Sequence, residues 1–189
     1  MPSHTTEITL TEPTLVIVPW YDDVVDSIGY DPRSAYCELY WLNVLGPTAT
    51  WLIRRMVSGL DEYPGGYELD LEQTASALGL NFSVGVCNAF ARSVNRCVMF
   101  GGAQPVDGGL AVRRHLPPVT ARQLARMPEY LRSSHAAWRQ RARCAADDER
   151  RARLLAEAML AAGDPSDAIE RQLLGLGVPP AVAMRATAS

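Results

Sequence analysis

Hydrophobic residues recur at helical spacing in several segments of this chain. The clearest segment is 47–62, which opens with Gly46-Pro47 and is followed by Pro64-Gly65-Gly66. Its apolar positions lie on one helical face and are Trp51, Leu52, Met56 and Leu60. This pattern predicts an amphipathic helix bounded by helix-breaking residues on both sides.

Local capping signals place further helices along the chain. Asp31-Pro32 is a good helix start, and Asp70 is an expected N-cap, with Gln73 completing a weak capping box. Thr120 is expected to cap a short helix that ends at Pro128. Helices are therefore predicted at 31–46, 47–62, 71–78, 86–99, 120–127, 129–162 and 166–176, with a last turn after Pro179.

Shorter apolar runs predict strands. Leu15–Val18 is interpreted as a strand or a packed arm limited by Pro19, and 67–70 as a short strand. Two further strands, at 99–103 and 110–115, flank a turn in which Asp107-Gly108 favours a hairpin. Residues 1–14 are expected to be frayed. The predicted class is mainly α with a small β-hairpin (α+β).

Composition narrows the class of protein without naming an activity. The 189 residues are 48% hydrophobic and 21% charged, which excludes gross disorder and a collagen-like repeat. The longest uncharged run, 39–53, is shorter than the roughly 20 apolar residues of a membrane-spanning helix. With no secretory signal evident, the sequence predicts a cytoplasmic protein without a membrane partner.

The charge is unevenly distributed along the chain. Residues 1–80 contain twelve acidic and three basic side chains, whereas residues 81–155 contain thirteen basic and five acidic ones. All 18 basic residues are arginine, a choice that codon bias explains. Codon bias does not explain why the arginines concentrate in the middle of the chain.

The order strand, short helix, turn, helix and hairpin over residues 47–116 resembles a winged helix-turn-helix domain. The residues that carry the resemblance are 70–79, with Ala75 and Gly79 at the small-residue and turn positions, then 86–100 and the hairpin around Asp107. The resemblance implies a domain at 31–127 between an N-terminal arm, 1–30, and a C-terminal helical region, 128–189.

The resemblance also implies a function, that of a sequence-specific transcriptional regulator binding double-stranded DNA. Its reading helix would be about 86–99 and its wing about 99–116. Because arginine pairs with guanine and asparagine with adenine, we expect base or near-base contacts from Asn88, Arg92, Ser93 and Arg96. Arg113 and Arg114 are expected to bind phosphates.

Two alternatives remain open for the arginines. In the first, they form a solvated face that pairs with the acidic first 80 residues. In the second, the domain is a protein-interaction adaptor that does not bind DNA. The discriminating observation is whether the guanidinium groups share one open surface or are covered by carboxylates from residues 21–72. Homodimerisation is predicted through the C-terminal helices, using Trp138, Leu154, Leu155, Met159 and Leu160.

Enzyme motifs are absent from the sequence. The chain has no lysine, no nucleophile elbow and no phosphate-binding glycine loop, so no catalytic residue and no cofactor is predicted. Asp22, Asp23 and Asp26 are interpreted as solvated acids. The four cysteines lack metal-ligand spacing, so no metal site is predicted, and the four tryptophans are expected to be core or interface anchors.

Overall fold

The computed structural model describes residues 8–187, except for the side chains of 142–148. The chain divides into two compact units, Met1–Leu131 and Arg132–Ser189. The strands are β1 (Thr14–Trp20), β2 (Tyr67–Asp70), β3 (Ala103–Val106) and β4 (Gly109–Arg113). The α-helices are α1 (Asp23–Ile28), α2 (Leu42–Leu45), α3 (Pro47–Glu62), α4 (Leu71–Ala77), α5 (Ala89–Met99), α6 (Ala121–Leu124), α7 (Glu129–Ala161), α8 (Ser166–Gly175) and α9 (Pro180–Thr187). A π-helical turn, Cys37–Trp41, precedes α2.

Local signals predicted several of these elements correctly. Helix α3 has the predicted bounds, with Gly46 at positive φ and Pro47 in its first turn. The carboxylate of Asp70 accepts the backbone N–H of Gln73, and Thr120 forms a complete capping box with Gln123. Each of these signals acts within a few residues, so it needs no information about the rest of the fold.

The sheet is larger than the predicted hairpin. Its four strands have the order β2-β1-β4-β3, with β1 antiparallel to β2 and parallel to β4. Strand β1, which the sequence left open between a strand and a packed arm, therefore lies inside the sheet, and its Ile17 is fully buried. The chain thus combines helices with a four-stranded sheet, consistent with an α+β protein.

Pro19 does not end β1, contrary to the sequence-based expectation. The strand continues to Trp20 along β4, whereas its pairing with β2 ends at Ile17. At Pro19, the edge of β1 that faces β2 therefore makes no hydrogen bonds to a neighbouring strand among the described residues. Proline lacks a backbone N–H, and at this position no inter-strand bond is lost by that.

The expected fraying of residues 1–14 is wrong for the part that the structure describes. Leu10 is buried, and its carbonyl accepts the N–H of Gly85 at 2.7 Å. The backbone N–H and carbonyl of Ile8 both bond to the side-chain amide of Asn95. Residues 8–10 are thus held against α5 and the connection before it, while residues 1–7 lie outside the described residues.

Two predicted boundaries in the middle of the chain also shift. Helix α5 begins at Ala89 rather than at 86, because Asn88 has an extended backbone and caps the helix. The first hairpin strand begins at Ala103 rather than at 99, because α5 continues to Met99 and Gly101 then adopts positive φ. The turn at Asp107-Gly108 is confirmed, with Gly108 at φ +72°.

Aromatic side chains join the beginning and the end of the first unit. Tyr36 is buried and stacks on Tyr30, with ring centroids 3.6 Å apart, and its hydroxyl accepts the N–H of Val119 at 3.0 Å. The indole N–H of Trp41 donates to the carbonyl of Pro117 at 2.9 Å. These bonds hold the segment after β4 against the π-helical turn and α2.

The second unit has its own small core. The end of α7 packs with α8 and α9 through small and aliphatic side chains, which are Ala152, Ala156, Ile169, Leu173, Ala183 and Ala186. Alanine at four of these positions allows the helices to approach closely. Among the described residues, no helix is both long enough and apolar enough to cross a membrane.

Candidate nucleic-acid interface

Helix α5, the predicted reading helix, presents a narrow outward strip. Phe90, Val94 and Cys97 are buried, whereas Ala89, Arg92, Arg96 and Met99 are exposed. Among the described residues, the side chain of Arg92 makes no hydrogen bond or ion pair. The strip therefore offers one guanidinium group that is not bound by the protein, and Met99 adds an exposed apolar side chain at the end of the helix.

Asn88 and Ser93 both bond to the backbone of α5 itself. The Asn88 side-chain oxygen accepts the N–H of Ala91 at 2.9 Å, which caps the helix. Ser93 is only 6% exposed, and its hydroxyl donates to the carbonyl of Ala89 at 2.9 Å. Ser93 points into the core, so its side chain is not accessible to a base, contrary to the prediction.

Arg96 is exposed, but its guanidinium group is bound to the protein. Its Nε donates to the carbonyl of Leu45 and one terminal nitrogen donates to that of Val44, both at 2.7 Å. These carbonyls end α2, where the helix leaves its last acceptors unpaired and where a positive charge is favourable. Arg96 also lies over the ring of Phe100 at 5.3 Å.

Arg113 is enclosed at the end of β4. Its side chain is 12% exposed and lies 3.7 Å from the centre of the Trp20 ring. The guanidinium group donates to the carbonyl of Gly101 at 3.1 Å and to the carboxylate of Asp22 at 2.8 Å. The guanidinium group that was expected to bind a phosphate therefore already contacts an aromatic ring, a carbonyl and a carboxylate.

Arg114 is bound by a different acidic residue. It donates to the carboxylate of Asp61 at 3.2 Å and to the backbone carbonyl of Leu60. Asp61 also binds Arg33, which in turn pairs with Asp31. Neighbouring strand residues point in opposite directions, so Arg113 and Arg114 meet separate carboxylates.

Two of the acids interpreted as solvated, Asp22 and Asp26, contact side chains of the segment that follows β3. A backbone bond from Val25, together with Arg113, lowers the pKa of Asp22, so this carboxyl stays ionised. Asp26 lies 3.4 Å from a ring nitrogen of His115. The interpretation of Asp22 as a merely solvated acid is wrong, because its side chain caps α1 and binds Arg113.

The hairpin that was expected to form a wing carries no basic residue from Ala103 to Val112. Its tip exposes Val106 and Asp107. Of the six predicted contact residues, only Arg92 therefore has a side chain that is both outward-facing and without a partner among the described residues.

Helix α3 carries a second group of arginines, which sequence reasoning did not single out. Trp51, expected to be a core or interface anchor, is 56% exposed, and Arg54 lies over its ring at 4.5 Å. Arg55 is exposed nearby. The signal was present in the sequence, since Trp51, Arg55 and Ser58 share the spacing of one helical face.

Cysteine chemistry contributes nothing further. Burial raises the pKa of Cys37 and of Cys97 to about 12, so both thiols stay protonated. Cys87 is exposed, and the side chain of Cys144 lies outside the described residues. No group of three or more metal-ligating side chains was found where side chains are described.

Comparison with known proteins adds no relative. No family model, no curated protein and no solved structure matches this chain.

Proposed function

We propose that this chain is a non-catalytic protein-interaction module built on a winged helix-turn-helix unit. The order α3, β2, α4, α5, β3 and β4 supports the winged-helix assignment, with α4 and α5 as the helix pair and β3–β4 as the wing. Strand β1 is inserted between the strands β2 and β4. In a three-stranded winged-helix sheet, β2 would lie directly beside the wing. Here β1 separates β2 from the wing strand β4.

The observation that carries the proposal is the use of arginine. Arg96 binds the carbonyls of Val44 and Leu45, while Arg113 and Arg114 bind Asp22 and Asp61. DNA affinity depends largely on neutralised phosphates, and guanidinium groups already paired with carboxylates contribute little to that term. Carboxylates from the acidic first 80 residues thus bind Arg113 and Arg114, while backbone carbonyls bind Arg96, and this supports the adaptor alternative.

The surface beside α5 favours protein over DNA as a partner. Val84 and Val86 in the connection before α5 are exposed, as is Met99 at its end. Exposed aliphatic side chains at both ends of α5 suit a protein surface, where apolar burial drives association. A duplex would gain little from them, because its accessible edge is polar and its backbone is charged.

Selection of bound duplexes from a random DNA library, using the full chain, tests this proposal. We expect no enriched sequence, and the same weak retention for the wild type and for Arg92→Ala. An enriched motif that is bound with a steep salt dependence, and lost in Arg92→Ala, would contradict the proposal.

DNA binding remains the second candidate, and one observation favours it. Arg92 lies at the centre of the outward strip of the proposed reading helix and has no partner in the described part of the chain. If the chain is a regulator, Arg92→Ala should weaken binding by about 1–3 kcal/mol and relax the sequence preference. Arg113→Ala should then act only through folding stability.

A further inference from the structure

Helix α3 carries a groove on its outer face, away from α5 and from the hairpin. It is lined by Arg33, Trp51, Arg54, Arg55 and Ser58, and encloses about 400 Å³. The opposite face of α3, with Leu52, Ile53 and Met56, is buried in the core. The backbone under the groove is therefore rigid, and a ligand would meet side chains that are already positioned.

The aromatic wall of the groove is exposed and held in place. Trp51 is among the larger exposed apolar side chains, and the Arg54 guanidinium group lies 4.5 Å from its ring centre. An indole already held by a cation loses less side-chain conformational freedom on binding a ligand than a freely rotating one. Tryptophan and arginine are also the residue types that contribute most to protein interfaces.

The groove has a local excess of positive charge. Arg33 is neutralised by Asp31 and Asp61. Among the described residues, Arg54 and Arg55 have no carboxylate within ion-pair distance. Two guanidinium groups without a carboxylate partner, one of them stacked on an exposed indole, suit a ligand that is both anionic and apolar.

We propose that this groove binds a short acidic peptide segment of a partner protein, with an apolar or proline side chain on Trp51 and carboxylates on Arg54 and Arg55. The inference rests on the proposed interaction function and locates its docking site. Arginine binds carboxylates through two parallel N–H donors, and this geometry favours a peptide that presents single acidic side chains.

Carboxylates near the C-terminal end of α3 favour a peptide over a nucleic acid. Asp61 binds Arg33, which lines the groove. Arg55 and Ser58 also line a second hollow that contains Glu62, the residue after Asp61, and Asp70. A nucleic-acid backbone repeats its charge every few ångströms and would place phosphates against these acids. A peptide with one or two acidic residues avoids that repulsion.

The test is selection from a random displayed peptide library against the full chain, followed by measured affinities for the selected peptides. We expect enrichment of Asp or Glu beside an aromatic residue or proline. The double substitution Arg54→Gln, Arg55→Gln should weaken these peptides at least about tenfold, and Trp51→Ala by a similar factor. Arg126→Gln, at an exposed arginine of the first unit that does not line the groove, is the matched control and should leave the affinities unchanged.

The outcomes separate this inference from the proposed function. Peptides that bind all the groove variants as well as the wild type would overturn the site while leaving an interaction function in place. No acidic enrichment, or no selected peptide at all, would overturn the class of ligand. Tighter binding of a single-stranded oligonucleotide than of any selected peptide, lost in Trp51→Ala, would replace the peptide with a nucleic acid. Circular dichroism of each variant shows whether its fold is retained.

Discussion

The arginines at the ends of α5 and β4 differ from those of α3 in what surrounds them. Arg96 and Arg113 each donate to the protein through Nε and through a terminal nitrogen. Arg54 and Arg55 carry the same charge but meet no carboxylate in the described structure. The same residue type therefore stabilises the fold in one region and remains available for a ligand in the other.

Substitution of Arg113 should give the largest change in stability. Arg113→Ala removes an ion pair, a bond to a carbonyl and a cation–π contact, and leaves Asp22 without its cationic partner. We expect the free energy of unfolding to fall by about 2–3 kcal/mol. Urea unfolding followed by tryptophan fluorescence measures it, since Trp20, Trp41 and Trp51 all belong to the first unit. An unchanged midpoint would mean that the contacts of Arg113 do not stabilise the folded state.

Substitution of Arg96 should have a smaller effect, because its side chain is more exposed. Arg96→Ala leaves the carbonyls of Val44 and Leu45 without their charged donor. We expect a loss of about 1–2 kcal/mol in the same urea experiment. Arg92→Ala is the control on the same helix and should change stability by less than about 0.5 kcal/mol. Equal effects at the two positions would remove the distinction between them.

The charge of Asp22 should make part of the stability depend on pH. Asp22→Asn retains an oxygen that can cap α1 but removes the charge that binds Arg113. The pKa of Asp22 is lower in the folded state, so its contribution is present above the ordinary value of about 3.8 and is lost as the pH falls through the folded value. The variant should therefore be less stable than the wild type at neutral pH, and this difference should shrink in acid. A difference independent of pH would contradict the ion pair.

The smallest effect on stability is expected in the α3 groove. The double substitution Arg54→Gln, Arg55→Gln removes one exposed cation–π contact and breaks no ion pair among the described residues, so the free energy of unfolding should fall by less than about 1 kcal/mol. The same urea titration measures it. A large loss of stability would show that these arginines serve the fold, as Arg113 does, rather than a ligand.

The sequence was informative where the deciding contacts are local. The bounds of α3 and the caps at Asp70 and Thr120 follow from neighbouring residues, and these predictions are confirmed. The insertion of β1 between β2 and β4 joins segments far apart in the chain, and a short apolar run does not specify its partners. The sequence therefore predicted the elements better than their arrangement.

The candidate site shows the same limit. Arg96 bonds to carbonyls 51 and 52 positions earlier, and Arg113 to a carboxylate 91 positions earlier. Charge counting found the excess of arginine but not the acceptors that the fold brings to it. Trp51 was grouped with the buried apolar positions of α3 because helical spacing does not distinguish the edge of a buried face from its centre.

Exchange of arginine side-chain protons tests the central comparison most directly. In protein labelled with nitrogen-15 at arginine, the Nε–H signals of Arg96 and Arg113 should be protected from exchange with water, because both protons are hydrogen-bonded to backbone carbonyls. Those of Arg54, Arg55 and Arg92 should exchange rapidly. Rapid exchange at Arg96 and Arg113 as well would contradict the account.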